Sequence, residues 1–196
     1  MATKRSRGNA FIAVVPVAIG INLAMAAVVN LVKAPVFLDS VGTVATGVLL
    51  GPLAGAVTGV LSNLVAALVL NPVYAWFVLT AAFVGFVAGM LAKRGVFRRW
   101  WSAAAAGLIV GVIAAAISAP VATYVFGGVT PAGSYSMIVA FIKASGQTLL
   151  KSAFLAGLAS DPVDKAASFV LVFLLLRSLP KTVVQRFSSQ ARTTPE

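Results

Sequence analysis

The chain has no cysteine and no histidine. Without cysteine there is no disulfide, no thiolate nucleophile and no iron–sulfur ligand. Without histidine, the usual proton shuttle and the commonest transition-metal ligand are missing. Acids are nearly as scarce: Asp39, Asp161, Asp164 and Glu196 are all there are, and Glu196 reads as a solubilising end residue. Charged residues make up 10% of the chain, against about 25% in an average soluble domain. There is also no GxxxxGK[ST] phosphate-binding loop. A nucleophile–base pair or a set of metal ligands would have to come from three Asp and a few Ser, Thr and Lys, so an intramembrane enzyme is disfavoured. The expected site has no catalytic residue, no metal and no cofactor.

What the sequence does have is apolar. Hydrophobic residues make up 60% of its 196 residues, and the mean hydropathy is +1.02. A soluble protein of this size cannot hide so much apolar surface, whereas a membrane protein has lipid as its solvent. A soluble enzyme, a disordered chain and a secreted disulfide scaffold are therefore excluded. The length fits one unit. Residues 1–196 are read as a single membrane domain, with a cytoplasmic N-terminus over 1–9, a transmembrane bundle over 10–180 and a cytoplasmic tail over 181–196.

A helical span needs about 20 apolar residues. The runs read as spans are Ala10–Val32, the short Ser40–Leu50, Pro52–Leu70, Pro72–Leu91, Ser102–Phe126 and Val163–Leu179. Pro52 after Gly51 breaks the second from the third and lets both be short and angled. The first run is read as a retained span, because it has no clean small-x-small exit of a cleaved leader. Between spans five and six, Pro131–Ser160 is apolar but studded with Ser, Thr, Lys and Gln, and is read as interfacial or re-entrant. The expected fold is an all-α polytopic membrane protein of six transmembrane helices with both termini cytoplasmic.

The charges support that count. Lys and Arg number fifteen, for a net charge of +11. With six spans, Lys4, Arg5, Arg7, Lys93, Arg94, Arg98, Arg99, Arg177, Lys181, Arg186 and Arg192 all fall on one side, and Lys33, Lys143, Lys151 and Lys165 fall on or toward the other. This obeys the positive-inside rule, and Trp100 and Trp101 look like an interfacial anchor. A seventh span would carry the basic tail outside. The basic residues are split among three flanking segments, with no aromatic-interleaved basic face, so no nucleic-acid partner is expected.

Small residues recur at intervals of four: Gly47, Gly51, Gly55 and Gly59; Ala81, Gly85 and Gly89; Ala103, Gly107, Gly111, Ala115 and Ala119; Gly20 and Ala24. Such stripes let helix backbones approach closely, either within the bundle or against another membrane subunit.

Polar groups at membrane depth are costly and mark function. Each here also has a capping role available. Asp39 precedes a span, Asn71-Pro72 is a good helix start, and Asp161-Pro162-x-Asp164 has a capping-box character, with Lys165 four residues beyond Asp161. Their common location supports a second role. Lys33, Phe37, Asp39, Asn71, Tyr74, Trp76, Tyr124, Ser134, Tyr135, Asp161, Asp164 and Lys165 all fall toward the outer face. Asn30 and Asn63 lie in outer half-spans, and Lys143, Gln147 and Lys151 recur every four residues as a polar stripe. The inner half has no comparable set. A cup opening outward, rimmed by aromatics and a few polar groups, is what a small-molecule site looks like. The expected contacts are Lys33, Phe37, Asp39, Asn71, Tyr74, Trp76, Tyr124, Gln147, Asp161 and Asp164. Asp161→Ala or Trp76→Ala should weaken ligand binding without abolishing membrane insertion.

Particular segments carry a resemblance. Pro35-Val-Phe-Leu-Asp-Ser-Val-Gly-Thr43, Leu50-Gly-Pro-Leu-Ala-Gly-Ala-Val-Thr-Gly59, Asn71-Pro-Val-Tyr74, Ser160-Asp-Pro-Val-Asp-Lys165 and the Leu179-Pro180 exit, in that order and in a chain of this size, resemble the substrate-binding (S) components of energy-coupling factor (ECF) vitamin transporters. The resemblance runs from about Ala10 to Pro180. It implies a six-helix protein in the plasma membrane that binds a vitamin or related micronutrient from outside. It also implies partners: a transmembrane coupling subunit and two cytosolic ATPases, against which the S component topples to release its substrate. The ligand would lie in the outer half under the first outer loop, here Lys33–Asp39. Gly20, Ala24, Gly47 and Gly51 are the nearest equivalents of the docking stripe. A stand-alone carrier or a structural membrane protein is the alternative. The substrate stays open: the lysines suit an anion, Asp39 and Asp161 suit a cation, and Phe37, Tyr74, Trp76 and Tyr124 suit a planar ring.

Overall fold

A computed structural model describes residues 2–32, 36–128, 130 and 133–178. Among these residues the structure is helical, without strands. Lys33 and residues 181–196, the expected tail, lie outside the described residues, as does the Leu179-Pro180 exit.

Helix α1, Ala2–Val32, runs from the end of the bundle that carries most of the Arg and Lys, the basic end, to the opposite end. Helix α2, Val41–Leu50, returns, and α3, Pro52–Val69, goes back out. A 3₁₀ turn, Pro72–Phe77, leads into α4, Val78–Lys93. Helix α5, Trp100–Tyr124, rises from the basic end. A short helix α6, Gly133–Ala144, caps the far end, and α7, Leu149–Ser178, descends.

Among the described residues, four stretches are long and apolar enough to cross a bilayer: Ala10–Val29, Pro52–Val69, Pro72–Lys93 and Trp100–Tyr124. Helix α2 has 10 residues, or about 15 Å of helix, half of a bilayer core. Helix α7 is long enough but carries Lys151, Asp161, Asp164, Lys165 and Arg177.

Backbone contact holds the bundle together. Gly51 turns α2 into α3 with φ +102°, a left-handed value that glycine adopts without strain, and Pro52 opens α3 where its missing N–H costs nothing. A Cβ on Gly55 would lie 2.3 Å from the Gly85 carbonyl oxygen, so α3 and α4 touch main chain to main chain. The most extensive pairing is α5 with α7. There a Cβ on Gly111 would sit 2.4 Å from the Pro162 Cα, and one on Gly107 would sit 2.6 Å from the Ala166 Cα. Asn22, buried in α1, joins three helices: its Nδ2 donates to Thr43 Oγ1 (2.8 Å) and Ser62 Oγ (2.9 Å), and its Oδ1 accepts from the Gly42 N–H (2.7 Å). One apolar core, around Val44, Val84, Val110, Phe169 and Val172, fills the basic half. A second, around Ala119, Ala122, Val139, Ala153 and Ala156, lies under α6. Ile12, Leu31, Leu68, Leu79, Ile109 and other large apolar side chains face outward.

The last helix differs from expectation. It begins at Leu149 rather than Val163, and it runs through Pro162 without ending. Proline inside a helix is tolerated at membrane depth when neighbouring groups satisfy the freed backbone, and α5 lies against this point. Residues 133–160 are therefore α6, a short connection and the first turns of α7. The stripe of Lys143, Gln147 and Lys151 does not form one helix face, because a turn at Gly146 (φ +86°) separates Lys143 on α6 from Lys151 on α7. Asp161 and Asp164 consequently sit mid-helix and cap nothing.

Candidate ligand-binding site

Residues 36–38, before α2, are outside any helix. Leu38 has φ +48°, a left-handed conformation that costs a branched residue about 1–2 kcal/mol. A single carboxylate offsets that cost. Asp164 on α7 is 0% exposed, and its Oδ1 accepts from the Phe37 N–H (3.0 Å) and the Leu38 N–H (2.5 Å).

Lys165, next along α7, reaches the same place. Its ammonium donates to Asp164 Oδ2 (2.5 Å) and Ser40 Oγ (2.9 Å) and lies 3.5 Å from Asp39 Oδ1. Asp39 therefore pairs with Lys165 instead of capping α2. The residue at the cap position, Ser40, makes no side-chain capping bond. Every acid among the described residues is in or beside this cluster: Asp39 and Asp164 on the lysine, and Asp161 one helical turn before it. Asp161 is 8% exposed, and its carboxylate has no hydrogen-bond or ion-pair partner among the described residues.

Above the cluster opens a cavity of about 530 Å³. Asp39, Ser40, Thr43, Asp161 and Lys165 form its polar part, with Asn63, Thr80, Ser118 and Thr130 higher on the wall. Phe37, Tyr74, Phe77 and Tyr135 supply aromatic surface, and Ala26, Val29, Val84, Ala114, Ala115 and Ala122 line the rest. Several wall residues are anchored from behind. Asn63 Nδ2 donates to the Tyr74 carbonyl (3.2 Å), the Tyr135 hydroxyl donates to the Ala153 carbonyl (2.9 Å), and the Phe37 and Tyr135 rings sit 6.5 Å apart, tilted. A concave, mostly apolar chamber with a few convergent polar groups is the usual form of a small-molecule site.

Of the residues expected from sequence, Phe37, Asp39, Tyr74 and Asp161 line this cavity, and Asp164 lies behind its floor. Asn71, Trp76, Tyr124 and Gln147 do not line it, and Lys33 lies outside the described residues. Asn71 caps the 3₁₀ turn, its Oδ1 accepting from the Val73 N–H (3.0 Å). Trp76 is 57% exposed, edge-on to Phe126 on the bundle's exterior. Tyr124 is 76% exposed at the end of α5, and Gln147 lies in the α6–α7 connection. Lys165, Thr43, Asn63, Phe77, Thr80, Ser118 and Tyr135 complete the wall. With α7 starting at Leu149, Gly157 joins Asp161 and Lys165 at intervals of four on one helix face, and all three line the cavity.

Of the four docking candidates, Gly20 and Ala24 are exposed on α1. Gly47 and Gly51 are buried: Gly47 lies against Gly85, so its small size serves packing of α2 on α4, whereas Gly51 has open space where a Cβ would go and serves the left-handed turn into α3.

The sequence model of the substrate-specific component of ECF transporters matches residues 16–187 of this chain. No curated protein and no solved structure matches it.

Proposed function

The chain belongs to the family of ECF-transporter substrate-specific components, multi-pass membrane proteins that bind a substrate, and from that premise we propose that it captures a vitamin or related micronutrient at the outer face of the plasma membrane. It then hands the molecule to a coupling subunit driven by two ATPases. In this reading the chain is one membrane domain with both termini cytoplasmic, and α2 and α7 complete six crossings. The basic end, with Arg94, Arg98, Arg99 and the Trp100–Trp101 pair, faces the cytoplasm, and the cavity opens outward. Helix α2 crosses despite its length because the non-helical residues 36–40 precede it at membrane depth, with the Phe37 and Leu38 N–H groups bonded to Asp164. The chain itself catalyses no reaction.

The observation that carries this reading is the cavity of about 530 Å³ at one end of the bundle, floored by a buried ionic cluster that ties the first connection to the last helix. A chamber of that size holds a vitamin-sized molecule. The α1–α2 connection is both part of its wall and the segment held by Asp164, so ligand and connection share one support. Gly20 and Ala24, on the exposed face of α1, are the proposed contact with the coupling subunit.

The test is to purify the protein in mild detergent from rich medium, denature it, and identify what is released by mass spectrometry. A stoichiometric vitamin-like compound is expected, together with co-purification of a coupling subunit and ATPases when these are co-expressed. An empty protein that recruits neither would return the chain to the alternatives of a stand-alone carrier or a structural membrane protein.

A further inference from the structure

The polar groups on the cavity floor are not equally available. An ammonium has three N–H donors, and those of Lys165 are committed to Asp164, Ser40 and Asp39. An incoming anion would have to break one of these bonds. Asp164 has both oxygens occupied, by the Phe37 and Leu38 N–H groups and by Lys165. Asp161 lines the cavity, is 8% exposed, and has no partner among the described residues. Three carboxylates thus converge on one ammonium, and the group left open to the chamber is an acceptor with a negative charge. The one ammonium near Asp161 is shared with Asp39 and Asp164, which hold its hydrogen bonds, and a buried carboxylate left short of counter-charge is costly, so it calls for a partner. Phe37, Tyr74, Phe77 and Tyr135 line the same chamber, and ring faces attract cations. Among the described residues no group of three or more His, Cys, Asp or Glu is arranged to hold a metal ion, and the aromatic lining suits an organic cation.

Building on the capture reading, we infer that the cavity selects a flat heteroaromatic molecule bearing a positively charged nitrogen. That nitrogen meets the Asp161 carboxylate, and the ring lies among Phe37, Tyr74, Phe77 and Tyr135. Lys165 acts as a positioning residue: it holds Asp39 and Asp164 and offers nothing to an anionic ligand.

To test this, yeast extract is separated on ion exchangers at pH 7.5 into cationic, neutral and anionic pools. Each pool is added to the full-length protein, washed in detergent to strip retained ligand, while thermal unfolding is followed. The cationic pool alone should raise the melting temperature of the wild type. In Asp161→Asn, the dilution of that pool giving half the shift should move by about tenfold or more, the loss of a charge-assisted hydrogen bond. A shift produced by the neutral or anionic pool instead overturns the charge assignment and leaves the capture reading standing. A cationic shift that Asp161→Asn does not weaken removes Asp161 from the contact and overturns the inference. No shift from any pool overturns the inference and the capture reading together. The wild-type comparison decides the charge even if Asp161→Asn does not fold.

Discussion

Asp164 and Asp161 are the same residue type three positions apart on one helix, and their surroundings give them different roles. Asp164 is fully buried and fully bonded, holding two backbone N–H groups of the first connection and the Lys165 ammonium. Replacing it with Asn sets an amide N–H₂ against either a backbone donor or the ammonium. Breaking one side of a buried pair costs about 3–5 kcal/mol. Asp164→Asn should therefore lower the melting temperature of the detergent-purified protein by many degrees, and ligand should not fully restore it. Aromatic residues divide in the same way. Phe37 lines the cavity and Trp76 lies on the exterior, contrary to the sequence expectation for Trp76. Phe37→Ala should weaken binding of the released ligand by about tenfold, the scale of one lost aromatic contact, and Trp76→Ala should leave affinity unchanged in the same titration.

Among the helices, small residues serve two purposes that their spacing alone does not separate. On α5, Gly111 lies on the α7 backbone at Pro162, with 2.4 Å between a would-be Cβ and the Pro162 Cα. Gly111→Val would drive α5 from α7 and break the wall that carries Asp161 and Lys165. A monodisperse peak in size-exclusion chromatography should be lost. On α1, Gly20 has open space where a Cβ would go. Gly20→Val should change stability by no more than about 0.5 kcal/mol, the range typical of surface changes, while reducing co-purification with the coupling subunit. If both variants fold and both recruit the partner, the division between packing glycines and docking glycines is wrong.

At the scale of the molecule, the proposed topology has a direct readout, because the chain has no native cysteine. Single cysteines can be introduced into an empty background. Ser145→Cys, in the turn after α6, should react with a membrane-impermeant maleimide in intact cells. Arg98→Cys, between α4 and α5, should react only after permeabilisation. Labelling of both from outside would overturn the six-crossing arrangement and, with it, the outward opening of the cavity.

By itself the sequence determined the solvent of this protein and its helical class, and it carried the charge pattern on which the proposed orientation rests. Hydropathy follows from composition, and the distribution of Arg and Lys along the chain is linear information. It also made Asp39 and Asp161 visible, because an acid inside an apolar run is conspicuous wherever it folds, and it named Phe37 and Tyr74 through the connections that bear them. Only the tertiary structure decided which acid is bonded and which is open. Asp39 and Lys165 are 126 positions apart and meet only when α2 packs beside α7. Local rules offered each acid a helix cap, but α7 continues through Pro162, and a residue in mid-helix has no cap to make. Thr43, Thr80 and Ser118 carried no signal, since a single hydroxyl in an apolar helix can bond to its own backbone. Whether it faces lipid, a neighbouring helix or a cavity depends on helix rotation, which is set by backbone contacts such as Gly111 on Pro162 and Gly55 on Gly85.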